Sequence, residues 1–196
     1  TSRPTNFVAQ VVRGIDFEAT YTTPLDNIVS SWGGNLTVRA LVTRNLEQST
    51  NDGFNPQQDQ VGCNTSTCTG TPYWKYYVSA NYSFDPVSVS FTGRGISAGN
   101  YGPTYRRDAC TSGCPVSTLF QQTIDYNHID GQWVFDANIT FKLMHKAESG
   151  VDLDAFFTIS DILNPAPPVV ANINTEYWYR SNCLLYECLG RSFRGG

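Results

Sequence analysis

At 196 residues with a net charge of -4, the chain is 40% hydrophobic, 15% charged and 13% aromatic. No basic stripe is present, which argues against a nucleic-acid partner, and no apolar run is long enough for a transmembrane helix. Tyr, Phe, Thr, Ser and Asn are prominent and Lys, Glu and Ala sparse, a mixture that favours strands, in a soluble domain or in a transmembrane β-barrel. The opening TSRPTNF contains neither Met nor a signal peptide, which we read as processing or a missing beginning.

Taken in chain order, the first strand is predicted near 8–23, with Ile15, Phe17, Ala19 and Tyr21 alternating with Asp16, Glu18 and Thr20. A short link near 24–33 leads to a second strand near 34–47. There Leu36, Val38, Ala40 and Val42 oppose Thr37, Arg39 and Thr43, and Leu41 breaks the pattern. A long loop over 51–71 carries Cys63 and Cys68. The third strand, near 72–84, sets Trp74, Tyr76, Val78, Ala80, Tyr82 and Phe84 against Lys75, Ser79, Asn81 and Ser83. After the turn at Asp85-Pro86, a strand near 87–99 sets Val87, Val89 and Phe91 against Ser88, Ser90, Thr92 and Arg94.

A second long loop, 102–128, carries Cys110 and Cys114. The strand near 129–143 then places Trp133, Phe135, Ala137, Ile139, Phe141 and Leu143 opposite Gln132, Asp136, Asn138, Thr140 and Lys142. Beyond a short link near 144–150, the strand near 151–163 sets Leu153, Ala155, Phe157 and Ile159 against Asp152, Asp154, Thr158 and Ser160. It runs into NPAPP, whose prolines lack backbone donors, so the strand is expected to end at Asn164. The third long loop, 165–189, carries Cys183 and Cys188, and a last strand starts near 190–196.

Recurrent period-two alternation predicts an all-β, antiparallel up-and-down meander of six to seven strands, not closed on its own. Its apolar face either meets a second sheet, as in a sandwich, or meets lipid, as in an outer-membrane barrel. Links that alternate short and long, with every cysteine on the long side, favour part of a transmembrane β-barrel. Tyr21, Tyr73, Trp74, Phe84, Tyr101 and Trp133, near strand ends, suit either interfacial girdles or a core. The barrel reading expects Trp74, Tyr76, Phe91, Phe135 and Phe157 to form an exposed belt; the sandwich reading expects them covered.

The cysteines form three close pairs, Cys63/Cys68, Cys110/Cys114 and Cys183/Cys188, in turn-rich segments. C-x4-C and C-x3-C with two distant histidines fit no common zinc module, so local disulfides in an oxidising compartment are expected. No G-x-S-x-G or H-E-x-x-H occurs, and His128 and His145 are placed at opposite rims. Asp16 with Glu18 and Asp152 with Asp154 read as solvated sheet faces rather than acid/base pairs. GRGISAG lacks the strand-to-helix context of a phosphate loop. Of the N-x-S/T sequons at Asn35, Asn64, Asn81 and Asn138, three lie in predicted strands and Asn64 is the one plausible glycan acceptor. We therefore expect no catalysis, no cofactor and no metal. Ligand contacts are expected from the long loops, at Tyr101, Tyr105, Arg106 and Arg107 in YGPTYRRDAC and at Tyr177, Trp178, Tyr179 and Arg180 in NTEYWYRSNC, by stacking and bidentate hydrogen bonds.

Several segments, in order, resemble the C-terminal part of the TonB-dependent outer-membrane receptors of proteobacteria. RGIDFEATYTTPL resembles the family's "sGiDl.a.Y" strand, and GGNLTVRALVTRNLEQ the strand that returns from it. VGCNTSTCTGTPYWKYYVSANYSF is similar to the loop and strand before a tight turn, and VSVSFTGRGISAG to the "vs.s.r.R..G" strand after it. IDGQWVFDANITFKL is similar to the strand built round "DL...Y". FFTISDILNPAPPVV resembles "v.NLfdk.PP.v", with Asp161 where the family usually has Asn, and CLGRSFRGG resembles the start of the final strand. The plug domain, most of the barrel and the N-terminal energy-coupling motif of such receptors have no counterpart here.

The resemblance implies a segment of a receptor or transporter in the bacterial outer membrane that takes up a scarce ligand, such as a siderophore-like chelate, a vitamin or an oligosaccharide. It implies the remaining barrel and plug, a TonB-type coupling protein and outer-membrane lipid as partners. The alternative is a non-transporting structural or carbohydrate-binding β protein, including a receptor-derived fragment in an extracellular surface assembly. Open edges in lipid are untenable, so the chain is expected to continue or to pair its edges with other chains.

Overall fold

The computed structural model describes residues 9–65, 68, 70–106, 108, 110–146, 151–170 and 181–196. They form one antiparallel sheet from strands β1 (Ala9–Pro24), β2 (Asn35–Asn51), β3 (Gln58–Asp59), β4 (Trp74–Phe84), β5 (Val87–Ile96), β6 (Gln132–Lys146), β7 (Val151–Ser160) and β8 (Ser192–Gly195). The strand order is β1-β2-β4-β5-β6-β7-β8, with β3 appended to the far end of β2. It is an open up-and-down meander: every neighbour is the next long strand in sequence. The two-residue β3 has no alternation to announce it.

The register brings the predicted apolar sets onto one face. Phe17 faces Val42, Val42 faces Tyr76, Tyr76 faces Gly95, and Gly95 faces Trp133. Two residues along, Ala19, Ala40, Val78, Gly93 and Phe135 make the next row. Near the short turns, Leu36, Tyr82, Val89, Ile139 and Phe157 make another. A bulge between Lys142 and Met144 puts Met144, not Leu143, opposite Leu153.

The opposite face is a lattice of short polar contacts. Thr22 meets Thr37 at 3.1 Å, Thr43 donates to Asp16 at 2.6 Å, and Asn138 donates to Thr158 at 2.7 Å. Arg39 pairs with Glu18 at 2.7 Å, and both are half exposed, so the pair contributes little to stability. Asp16 and Glu18 are thus held by cross-strand partners. The residues that interrupt the polar pattern, Leu41, Tyr77 and Val134, fall in a single row together with Arg94. Arg94 and Val134 lie under the third long loop, and Val134 is only 4% exposed, whereas Tyr77 is exposed.

No second sheet or helix lies over either face among the described residues; outside the strands the only regular element is the three-residue turn Leu25–Asn27. The apolar face is therefore open. Phe17, Tyr21, Phe91, Trp133, Phe141, Leu153 and Phe157 are exposed. Trp74, Tyr76 and Phe135 are half-buried, because the rings cover one another rather than because anything covers them. Trp74 stacks on Tyr76, Tyr76 on Trp133 at 5.2 Å, Trp133 on Phe135 at 5.8 Å, and Phe135 on Phe91 at 5.6 Å. Gly93 and Gly95 make this ladder possible. A Cβ at Gly95 would fall 2.6 Å from the Trp133 ring, and one at Gly93 would fall 2.8 Å from Phe135.

The end of β7 departs from the expectation. The strand stops at Ser160, before the prolines. Asp161 and Asn164 adopt left-handed φ values of 54° and 51°, a conformation that Asp and Asn tolerate best among side-chain-bearing residues. The Asp161 amide donates to Asp136, and the Asn164 amide donates back to Asp161, which closes a turn. The side chain of Asn164 then accepts the Arg191 amide at 2.9 Å and so starts the chain towards β8. At the other end β6 runs to Lys146, so the backbone of His145 belongs to the strand rather than to a turn.

Gly95→Ala is expected to lower stability by about 1–3 kcal/mol, since the Trp133 ring must leave its stack. Gly195→Ala, whose Cβ would find its nearest neighbour at 3.6 Å, is expected to stay within about 0.5 kcal/mol of wild type. Denaturant unfolding of the two variants checks this, and equal loss in both would sink the ladder as the cause.

Candidate functional site

Three long connections, 52–73, 97–131 and 161–191, gather at one rim and hold most of the buried hydrophobic side chains among the described residues. Ile129, Val170 and Tyr186 form the core there, with Ile96, Tyr101 and Leu185 packed against it. Each loop is closed on itself by a disulfide, Cys63–Cys68, Cys110–Cys114 or Cys183–Cys188, with Cα separations of 6.3, 5.6 and 5.5 Å. The expected local pairing is therefore present. Such short rings stiffen their own loop and add little to the fold as a whole.

Between loops the connection is by hydrogen bonds, and they converge on Asn64. The Asn64 side chain is fully buried and donates from Nδ2 to the Ser97 carbonyl at 3.0 Å and to the Tyr186 hydroxyl at 2.9 Å. Its backbone amide donates to Asn100, and its carbonyl accepts from Asn182. Asn64 is thus the rivet of the rim and no surface glycan acceptor, which corrects the sequence reading. The Tyr186 hydroxyl in turn donates a hydrogen bond to the Asp130 carbonyl at 3.0 Å. Burial pushes this phenol up to about 12; the Asn64 donor opposes the rise and the charge of Asp130 adds to it.

Anchored by Tyr186, the third disulfide loop leans over the polar face. Arg94 reaches Glu187 at 3.2 Å and Asp136 at 3.6 Å, and the Glu187 amide donates to Gln132 at 2.8 Å. Beneath it lies a cavity of about 400 Å³ lined by Lys75, Arg94, Val134 and Leu185 among others. A larger cavity, of about 740 Å³, opens between the first two loops.

The residues of YGPTYRRDAC separate. Tyr105 and Arg106 line the larger cavity, whereas Tyr101 packs into the rim core and has its backbone bound by Asn127 and Thr65. Arg107, Tyr177, Trp178, Tyr179 and Arg180 lie outside the described residues. Gln58, Asp108 and Phe120, absent from the sequence candidates, share the cavity with Tyr105 and Arg106. Nothing local marked them, since they are brought there by loops that meet only in the fold. His128 bonds Asp130 at 3.0 Å and meets the edge of Tyr126. Among the described residues no group of three or more His, Cys, Asp or Glu is placed to hold a metal ion.

Comparison with protein-family models, with curated proteins and with solved structures returned no match.

The Tyr186 phenol must be protonated to donate to Asp130. Its folded value lies above the ordinary value of 10, so its contribution is fully present below pH 10 and is lost as pH rises towards 12. Tyr186→Phe is expected to cost about 1–3 kcal/mol at neutral pH, because the buried partners lose their hydrogen bonds. Across pH 10 to 12 the gap between wild type and variant should close. Paired unfolding curves over that range test it, and a constant gap would contradict the role given to the phenol.

Proposed function

We propose that the chain is a wall segment of an outer-membrane β-barrel receptor that takes up a scarce ligand with TonB-type energy coupling. The observation that carries this reading is the sheet's uncovered apolar face, with aromatic residues at both of its ends. In water, so large an apolar surface calls for a cover, and lipid supplies one without a second protein layer. From Trp74 to Phe84 along β4 is about 33 Å at ~3.3 Å per residue. Inclined by ~40°, that span projects to roughly 25 Å, the height of the apolar band of such barrels. Trp74, Tyr76 and Trp133 would mark one interface, and Tyr21, Tyr82 and Phe84 the other.

The polar face, with its Ser, Thr and Asn rows, would then line the lumen, and the disulfide-stiffened rim would face outwards. The sequence resemblance supplies the rest of the reading: the remaining barrel and plug against the free edges of β1 and β8, a TonB-type partner for coupling, and no catalytic step in this segment. Three disulfides agree with a compartment outside the reducing cytoplasm.

Tryptophan quenching in lipid bilayers separates this reading from a covered sheet. The protein is reconstituted in lipids brominated either near the headgroup or deep in the acyl chain. Trp133 is expected to be quenched, and more by the shallow label, with the Trp133→Phe variant losing that component. Absence of lipid quenching at Trp133 would mean that protein covers the face, and the membrane reading would fall.

A further inference from the structure

We propose that Arg44 and Trp74, at the long-loop end of the apolar face, form a docking site for a lipid headgroup that carries an anionic phosphate. The inference rests on the membrane reading and deepens it. Arg44 is out of place by pattern. The apolar rows from Phe17, Val42 and Tyr76 down to Phe84, Val87 and Phe141 contain no charged residue. In the next row outward Arg44 stands between Ile15 and Trp74, two residues on from Val42 in an unbroken register. A guanidinium on a lipid-facing surface is costly at the middle of a bilayer and tolerated at its interface.

This charge is held but not satisfied. The guanidinium carbon lies 5.2 Å from the centre of the Tyr73 ring and 5.0 Å from that of Trp74. Such stacking uses the flat faces of a guanidinium and leaves its N–H groups, which lie in the plane, able to donate. Among the described residues nothing accepts from them, and none of the guanidinium nitrogens is sealed from the surface. The Trp74 indole N–H is likewise open and without an acceptor among the described residues. Other arginines on the strands have carboxylate partners: Arg13 pairs with Glu47, Arg39 with Glu18, and Arg94 with Asp136 and Glu187. Glu47, the carboxylate in the row beyond Arg44, is thus already engaged.

The unmet demand is for a negatively charged acceptor at the depth where headgroups lie. A phosphate offers several oxygens and accepts from a planar guanidinium fork in pairs. In phosphatidylcholine the choline cation offsets the phosphate charge, so the site favours headgroups without such an amine. The acyl chains of the same lipid would run along Trp74, Tyr76 and Trp133, whose rings stack in sequence beside Arg44. One lipid thereby meets both the cation and an apolar strip, whereas a free phosphate ion meets the cation alone.

For the test, the full chain in detergent micelles is offered equal amounts of phosphatidic acid and phosphatidylcholine, and bound lipid is counted by native mass spectrometry. Wild type is expected to retain phosphatidic acid about tenfold over phosphatidylcholine, as a charge-assisted pair of hydrogen bonds predicts. Arg44→Gln should bring the two lipids level. Arg44→Lys, which keeps the charge and loses the fork, should fall between, and Arg39→Gln on the opposite face should behave like wild type. Excess inorganic phosphate should leave the preference standing; its loss would mean a site for the free ion and would overturn the lipid assignment. Equal retention of both lipids by wild type, or a preference indifferent to Arg44→Gln, would overturn it as well. Far-ultraviolet spectra verify the fold of each variant. If Arg44→Gln does not fold, Arg44→Lys decides, and a wild-type preference in that variant would count against the site. Absence of lipid quenching at Trp133 marks failure of the membrane reading. Quenching at Trp133 without a lipid preference marks failure of this inference alone.

Discussion

A sheet one layer thick has no interior, and everything else in this molecule follows from that. Strand-to-strand ladders satisfy the backbone, but neither face of the sheet packs against another layer among the described residues. Apolar burial is displaced to the loops instead, where Ile129, Val170 and Tyr186 meet. The sheet supplies length and register, and the rim supplies the core.

The two faces solve different problems. On the polar face, neighbouring hydroxyls, amides and carboxylates pair across strands. On the apolar face, the rings of Tyr76, Trp133, Phe135 and Phe91 lie flat against each other over the bare backbone of Gly93 and Gly95. Tyr76, Trp133 and Phe135 each stack on two neighbours, so the rings cover one another and make a continuous apolar surface suited to a fluid cover. At the rim the logic reverses. There the buried Asn64 amide donates to the buried Tyr186 phenol, and between them they tie three loops together.

How much of this could be read beforehand depends on the range of the physics involved. Alternation is local, so the strands, their faces and the long-short rhythm of their links were legible, with ends displaced by a few residues. Leu41 looked like a flaw because the row it shares with Tyr77, Arg94 and Val134 runs across the sheet and is invisible along the chain. The prolines after Asn164 drew attention as the strand terminator, while Asp161, with its left-handed backbone, ends the strand before them. Asn64 was misread because a tripeptide pattern carries no information on burial. Tyr101 and Tyr105 are near neighbours in sequence, yet one is core and the other lines a cavity. Only the meeting of two loops distinguishes them.

Each disulfide begins and ends within a single loop, and none ties one loop to another. The rim is therefore three covalently separate modules fastened by hydrogen bonds and one small apolar cluster. Such an arrangement tolerates exchange. The tip of a loop can be lengthened, shortened or replaced while its own bridge keeps its shape, provided that the few positions around Asn64 and Tyr186 are kept. Variation at the outer surface is thereby uncoupled from the strands, whose register never passes through a cysteine.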